Sequence, residues 1–251
     1  MKIGKVETYI NEITDSGKGV FMALIDPDEQ SPEKAVESAK IMEEGGADLI
    51  LLGGSTGLKH AIVDETAKMI RESVKIPIHV FPGGITNVTG HADSIYFMSL
   101  LNSKNPYWIS NVQSLGSIAI DTLNIEPLPT AYLIFEPGKT VGMVGEANLL
   151  PRDKPEMAVG YTLAAQYFGM RFVILESGSG APEPVPLNTI SKLREKTEMN
   201  IIIAGGVKTP EQARELIKAG AHGIHIGTAL EGENNCSLEK VRAFAKAIHL
   251  E

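Results

Sequence analysis

The feature that most constrains the fold is a series of eight short apolar runs, each bounded by turn residues and most of them separated by helical patterns. The apolar residues in each run are continuous rather than alternating, which is typical of parallel strands buried on both faces. Eight strand–helix units predict a closed (β/α)8 barrel of the TIM type, formed by residues 1–251 as a single domain. The predicted strands cover residues 20–25, 48–52, 76–81, 94–99, 131–135, 171–175, 200–204 and 222–226.

The connection between the third and fourth strands is unusually short. Only 12 residues, PGGITNVTGHAD, separate Phe81 from Ser94, and three of them are glycines. A parallel crossover usually contains a helix, and glycine and proline are poor helix formers. We therefore expect the third helix to be missing or irregular. Half of the chain's 14 aromatic residues fall between Phe81 and Phe135, beside this gap, where they either pack the core or line an apolar groove that leaves the barrel.

Composition and charge exclude several classes of protein. Hydrophobic residues at 43% and charged residues at 22% are ordinary for a globular domain. A net charge of -8 with no dense basic run argues against a nucleic-acid partner. The N-terminus lacks a secretory signal pattern and no apolar stretch is long enough to cross a bilayer, so we expect a cytoplasmic protein, with loose association with a membrane surface left open. The single cysteine, Cys236, and the six histidines show no metal-ligand spacing.

Glycine turns after the last two predicted strands indicate a phosphate site. Gly205 and Gly206 follow the seventh strand, and Gly227 and Thr228 follow the eighth. Many barrels bind phosphate there on backbone N–H groups, and glycine allows the backbone to approach the anion closely. Ordinary turn glycines are the alternative, although both turns point to the same site.

Two carboxylates directly follow predicted strands and are candidates for chemistry. Asp26 follows the first strand and could bind Mg²⁺ with Ser55 after the second strand, or it could form a turn with Pro27 and Asp28. Glu176 directly follows the sixth predicted strand, where it could accept a proton from a substrate hydroxyl. The alternative for Glu176 is a rim carboxylate paired with Lys139 or Lys208.

Distinct motifs occur, in order, at all eight predicted strand ends: LIDPD (24–28), GGST (53–56), FPGG (81–84), SLLNS (99–103), YLIFEPGKTVG (132–142), LESGSGA (175–181), GGVKTPEQA (205–213) and GTAL (227–230). Together they resemble the motifs of the geranylgeranylglyceryl phosphate synthases. Position 24 is Leu rather than the Lys of the bacterial heptaprenylglyceryl phosphate branch, and the sixth-strand motif has no tyrosine before its Ser-Gly pair, so the chain is similar to the second, largely archaeal group.

This resemblance implies a Mg²⁺-dependent prenyltransferase of ether-lipid synthesis. In that family the C3 hydroxyl of sn-glycerol 1-phosphate attacks C1 of a polyprenyl diphosphate, here taken as geranylgeranyl diphosphate. The resemblance implies Mg²⁺ ligands at Asp26 and Ser55, a homo-oligomer (dimer or hexamer), and a carboxylate at Glu176 that holds the glycerol hydroxyls and serves as the base. Implied glycerol-phosphate contacts are Leu175, Glu176, Ser177, Gly178, Ser179, Gly180, Ala181, Gly205, Gly206, Gly227 and Thr228.

Two other functions share the phosphate site. A phosphosugar isomerase-like or aldolase-like barrel would need an acid–base pair or a Schiff-base lysine, and it would not need an apolar groove. The other is a non-catalytic phosphometabolite-binding barrel, which would need no catalytic residues and no apolar groove.

Overall fold

The sheet is a closed barrel of eight parallel strands in chain order, which confirms the predicted fold. The computed structural model describes residues 2–54, 60–230 and 236–251. Closure is between the first and last strands, where Val20 pairs with Gly223 and Met22 pairs with His225. The strands are β1 (Val20–Ile25), β2 (Leu49–Leu52), β3 (Ile78–Val80), β4 (Ser94–Leu100), β5 (Glu126–Ile134), β6 (Phe172–Glu176), β7 (Asn200–Ala204) and β8 (Gly223–Ile226).

Helices surround the sheet in the part of the chain that the structure describes. They are α1 (Lys5–Asp15), α2 (Pro32–Gly45), α3 (His60–Arg71), α4 (Val112–Thr122), α5 (Lys139–Val144), α6 (Pro155–Tyr167), α7 (Leu187–Lys196), α8 (Pro210–Lys218) and α9 (Leu238–Ile248). Side chains cap the first turns of two of these helices: at α2 Ser31 accepts from Lys34 N–H, and at α8 Thr209 and Gln212 form a capping box.

Buried side chains form two layers, one on each side of the sheet. Alternate strand residues such as Met22, Tyr96 and Ile174 fill the barrel interior. Their neighbours along the strands, such as Ala23 and Leu175, pack outward against the helices. Because the strands are apolar on both faces, the sequence pattern is continuous rather than alternating.

The crossover between β3 and β4 contains a single 3₁₀ turn, Ile85–Asn87, where a regular barrel has its third outer helix. Described residues 81–93 contain no other helix, in agreement with the prediction from the short, glycine-rich crossover. The outer faces of β3 and β4 therefore lack a full covering helix. The next connection contains a π-helical turn, Tyr107–Asn111, that leads directly into α4.

The N-terminal helix, α1, closes the end of the barrel at which the strands begin. Val6 and Ile10 of α1 belong to the interior layer. The Glu126 carboxylate at the start of β5 accepts the N–H groups of Val6 (2.8 Å) and Glu7 (3.0 Å) and so caps the first turn of α1. A ligand therefore has access at the carboxyl ends of the strands.

Candidate active site

A cavity of about 500 Å³ lies at the carboxyl ends of the strands. One end is bordered by the loops after β6, β7 and β8, and the other end is bordered by apolar residues of β4, the 3₁₀ turn and α4. Asp26 and Glu176 are its lining carboxylates. In barrels of this class active sites form on this face, from loops that follow the strands.

Glu176 ends β6 with its side chain inside the barrel, only 5% exposed. Gly178 N–H donates to Oε1 (2.6 Å) and the Tyr132 hydroxyl donates to Oε2 (3.1 Å). Burial raises the pKa of Glu176 to about 7, and these two hydrogen bonds oppose the rise. These partners replace the predicted alternative of a rim pair with Lys139 or Lys208. A carboxyl group with this pKa can take up a proton near neutral pH.

The turn after β7 requires glycine at two successive positions. Gly205 has φ +75° and Gly206 has φ +77°, both in the left-handed region. A Cβ on Gly205 would lie 2.7 Å from Gly178 N and closer still to Glu176 Oε1, and a Cβ on Gly206 would lie 2.6 Å from Pro184 N. This turn therefore packs directly against the Glu176 carboxylate and the loop after β6.

The loops after β6 and β8 meet beside that turn. The hydroxyls of Ser179 and Thr228 share a hydrogen bond of 3.2 Å. A Cβ on Gly227 would lie 2.7 Å from Leu24 Cδ2, so the backbone after β8 passes close to β1. The glycine turns and two hydroxyl groups thus converge on one end of the cavity, as a phosphate site would require.

Most of the sequence-predicted substrate contacts line the cavity. Those that do are Glu176, Ser179, Gly180, Ala181, Gly205, Gly206, Gly227 and Thr228. Three others do not: Leu175 packs in the outer layer, Gly178 gives its N–H to Glu176, and Ser177 is fully buried. The hydroxyl of Ser177 has no partner among the described residues.

Asp26 directly follows β1 and is half-buried at the cavity wall. Burial and the nearby charges of Asp28 and Glu29 raise its pKa to about 6, while a hydrogen bond from Gly54 N–H lowers it. Asp26 forms no ion pair with any described residue. A carboxylate in this negative surrounding fits a divalent cation, and Mg²⁺ commonly takes one or two carboxylates together with substrate phosphate oxygens. The second predicted ligand, Ser55, lies outside the described residues.

The far end of the cavity is apolar and is lined by residues from both faces of β4. Tyr96 and Met98 of β4 line it from the interior layer, and Ile95 and Phe97 line it from the outer face of the same strand. Both faces of β4 reach one cavity because the 3₁₀ turn leaves the outer face open. Other lining residues are Ile85, Val88, Trp108, Val112, Gly116 and Ile120. Several aromatic residues of the predicted groove region therefore line a groove, and this compartment suits an aliphatic chain.

Sequence reasoning missed the partner of Glu176. Tyr132 lies on β5, where it pairs with Ile174 of β6, two residues before Glu176. Its side chain belongs to the interior layer and is 4% exposed. Strand alternation could have shown that Tyr132 points inward, but only the register between β5 and β6 brings it to the carboxylate.

None of the helices in the described ranges has the length and apolarity needed to span a bilayer.

The sequence matches the PcrB family over residues 12–248. Geranylgeranylglyceryl phosphate synthase of Thermococcus kodakarensis is 49% identical over 242 residues, which are 96% of this chain and 95% of that protein. The protein of the same name from Pyrococcus abyssi is 47% identical over 247 residues, 96% of this chain and 98% of the relative.

A solved structure agrees with these matches. The (S)-3-O-geranylgeranylglyceryl phosphate synthase from Thermoplasma acidophilum, in complex with its substrate sn-glycerol-1-phosphate, has a TM-score of 0.93 and 36% identity, and the match covers 100% of both chains. This chain therefore belongs to the PcrB family, among the geranylgeranylglyceryl phosphate synthases.

Proposed function

We propose that this protein is a Mg²⁺-dependent prenyltransferase that joins sn-glycerol 1-phosphate to geranylgeranyl diphosphate in ether-lipid synthesis. One observation carries the proposal: a single cavity joins a glycine-walled polar end, a buried carboxylate and an apolar compartment. The similarity to proteins named geranylgeranylglyceryl phosphate synthase supports the reaction, and the sn-glycerol-1-phosphate bound to the Thermoplasma enzyme supports the choice of acceptor.

The cavity residues divide the reaction among them. The turns at Gly205, Gly206 and Gly227, with Thr228, hold the acceptor phosphate on backbone N–H groups and a hydroxyl. Glu176 accepts the proton of the C3 hydroxyl as the C3 oxygen forms its bond to prenyl C1. The bond from C1 to the diphosphate oxygen breaks at the same carbon, and diphosphate leaves with that electron pair.

The metal assignment rests on Asp26. Mg²⁺ bound there, with Ser55 as the second expected ligand, would offset the negative charge of the leaving diphosphate. The acceptor phosphate and the donor diphosphate carry charges of the same sign, and they are assigned to different parts of the cavity mouth.

The apolar compartment favours prenyl transfer over the other two candidate functions. A phosphosugar isomerase-like enzyme and a phosphometabolite-binding barrel both handle small polar ligands, which gain nothing from a wall of Phe97, Trp108 and Ile120. An aliphatic chain buried there would gain about 0.8 kcal/mol for each CH₂ group. A dimer or hexamer, and a cytoplasmic location with loose membrane contact for the lipid product, remain expectations.

The test is incubation of the protein with sn-glycerol 1-phosphate and labelled geranylgeranyl diphosphate, with Mg²⁺ or with EDTA. We expect a butanol-extractable prenyl product with Mg²⁺ only. Asp26→Ala should abolish Mg²⁺-dependent turnover and leave sn-glycerol 1-phosphate binding largely intact, whereas the neighbouring Asp28→Ala should retain turnover. No product under either condition would refute the proposal, and loss of both turnover and acceptor binding in Asp26→Ala would make Asp26 structural.

A further inference from the structure

Both carboxylate oxygens of Glu176 are held by donors from different parts of the fold. Oε1 receives the Gly178 N–H from its own loop, and Oε2 receives the Tyr132 hydroxyl from the neighbouring strand β5. Each carboxylate oxygen can accept more than one hydrogen bond. Two fixed donors therefore set the plane of the group and leave one acceptor direction on each oxygen for a ligand in the cavity.

Tyr132 is itself held in place. Its side chain is buried in the barrel interior, and the Phe81 ring packs against it edge-on at a centroid distance of 5.7 Å. Burial and the adjacent Glu176 carboxylate raise the pKa of Tyr132 well above its ordinary value. The phenol therefore stays protonated across the working pH range and remains a donor to the carboxylate.

We propose that Tyr132 is a positioning residue for prenyl transfer, whose hydroxyl holds Glu176 Oε2 so that the carboxylate is aimed at the acceptor C3 hydroxyl. The inference rests on the proposed function, since it concerns the base of that reaction. Tyr132 acts through Glu176 and needs no contact with the reacting atoms.

The hydrogen bond has two separable consequences. A donor to the carboxylate favours its ionised form, so removal of the hydroxyl raises the pKa of Glu176 further above its ordinary value. Loss of the donor also frees the carboxylate to rotate, and small misplacements of a reacting group are costly. The first effect depends on pH and disappears once Glu176 is ionised, whereas the second persists at every pH.

Tyr132→Phe removes only the hydroxyl and keeps the ring that packs against Phe81. Tyr96→Phe is the matched control, because Tyr96 is another buried phenol of the interior layer whose hydroxyl contacts His225 Nε2 (3.0 Å) and Met22 Sδ (3.1 Å) rather than Glu176. Thermal unfolding checks that both variants fold.

The first measurement is an infrared pH titration of the ligand-free protein, in which the carbonyl band of protonated Glu176 is identified by its loss in Glu176→Gln. We expect Tyr132→Phe to raise the Glu176 pKa by about one unit and Tyr96→Phe to leave it unchanged. Equal pKa shifts in both variants would indicate a general loosening of the barrel interior. No pKa shift in Tyr132→Phe would show that the Tyr132 hydroxyl does not influence Glu176. Either outcome overturns the proposal.

The second measurement is the pH dependence of kcat for prenyl transfer. We expect the acidic limb to move to higher pH in Tyr132→Phe, with kcat about 10- to 100-fold below the unsubstituted protein at pH 7 and partly restored at high pH. Full restoration at high pH would contradict the orienting role. Because the titration needs no substrate, an inactive protein would refute the proposed function without hiding the coupling between Tyr132 and Glu176.

Discussion

Gly205→Ala tests whether the turn after β7 positions the Glu176 carboxylate. Two costs are expected. An alanine at φ +75° adds about 1–2 kcal/mol of backbone strain, and the added methyl group overpacks the site by about 1–3 kcal/mol. The new Cβ lies so close to Glu176 Oε1 that the carboxylate must move by about 1 Å to reach ordinary van der Waals contact. A displacement of that size costs about 100-fold in rate.

Gly169→Ala is the matched control for the backbone strain. Gly169 has φ +88°, but a Cβ added to it would meet no atom within 4 Å, and it follows α6, outside the cavity lining. For a chain of this length each kcal/mol lowers Tm by about 2–4 °C, so we expect losses of about 2–8 °C for Gly169→Ala and about 4–20 °C for Gly205→Ala.

The assay compares kcat for prenyl transfer with Tm from thermal unfolding, with kcat measured well below the unfolding transition of the weaker variant. Gly205→Ala should lose about 100-fold in kcat, whereas Gly169→Ala should keep the kcat of the unsubstituted protein. If the two variants lost Tm but kept equal kcat, the turn would be a folding requirement alone and the positioning argument would be refuted.

Two further outcomes follow from the same cavity. Thr228→Val should weaken sn-glycerol 1-phosphate binding about 10-fold by calorimetry while Thr228→Ser keeps it, and unchanged affinity in Thr228→Val would argue against a hydroxyl contact. Glu176→Gln should have a higher Tm than the unsubstituted protein at pH 8, because a carboxyl group whose pKa is raised from 4.5 to about 7 destabilises the folded state once it ionises. That difference should develop between pH 4.5 and 7 and vanish at lower pH; a Tm difference independent of pH would contradict it.

The sequence predicts the barrel well because its physical signal is local. A parallel strand covered on both sides must be apolar throughout, so runs such as residues 200–204 mark their own boundaries. The fifth strand shows the limit of this reasoning. In the structure this strand begins at Glu126, earlier than the predicted start at Ala131. Pro127 and Pro129 are typical of a loop, because proline has no backbone N–H to donate within a sheet. In the structure both prolines pair within the sheet, and the carbonyl of Pro129 still accepts the Arg171 N–H (3.0 Å).

The site was predictable where function follows from position along a strand, and not where it follows from register. Asp26, Glu176 and the glycine turns lie at the carboxyl ends of strands, and these ends share one face of a barrel. The family motif at residues 175–181 does not say which side chains point into the barrel. Leu175 points outward because side chains alternate along β6. Tyr132 reaches Glu176 only through pairing between strands, which a single sequence does not encode locally.

The reduced third helix also has a thermodynamic consequence. In a regular barrel the outer face of β4 is covered by the chain itself, whereas here Phe97 and its neighbours face a compartment that an aliphatic ligand would fill. Ligand and protein would then share one hydrophobic layer, so donor binding should resemble the last step of folding, with a negative heat-capacity change and a Tm that rises with donor concentration. A shorter prenyl chain would leave part of this layer uncovered, so its binding would raise the Tm of the protein less than binding of the full-length donor.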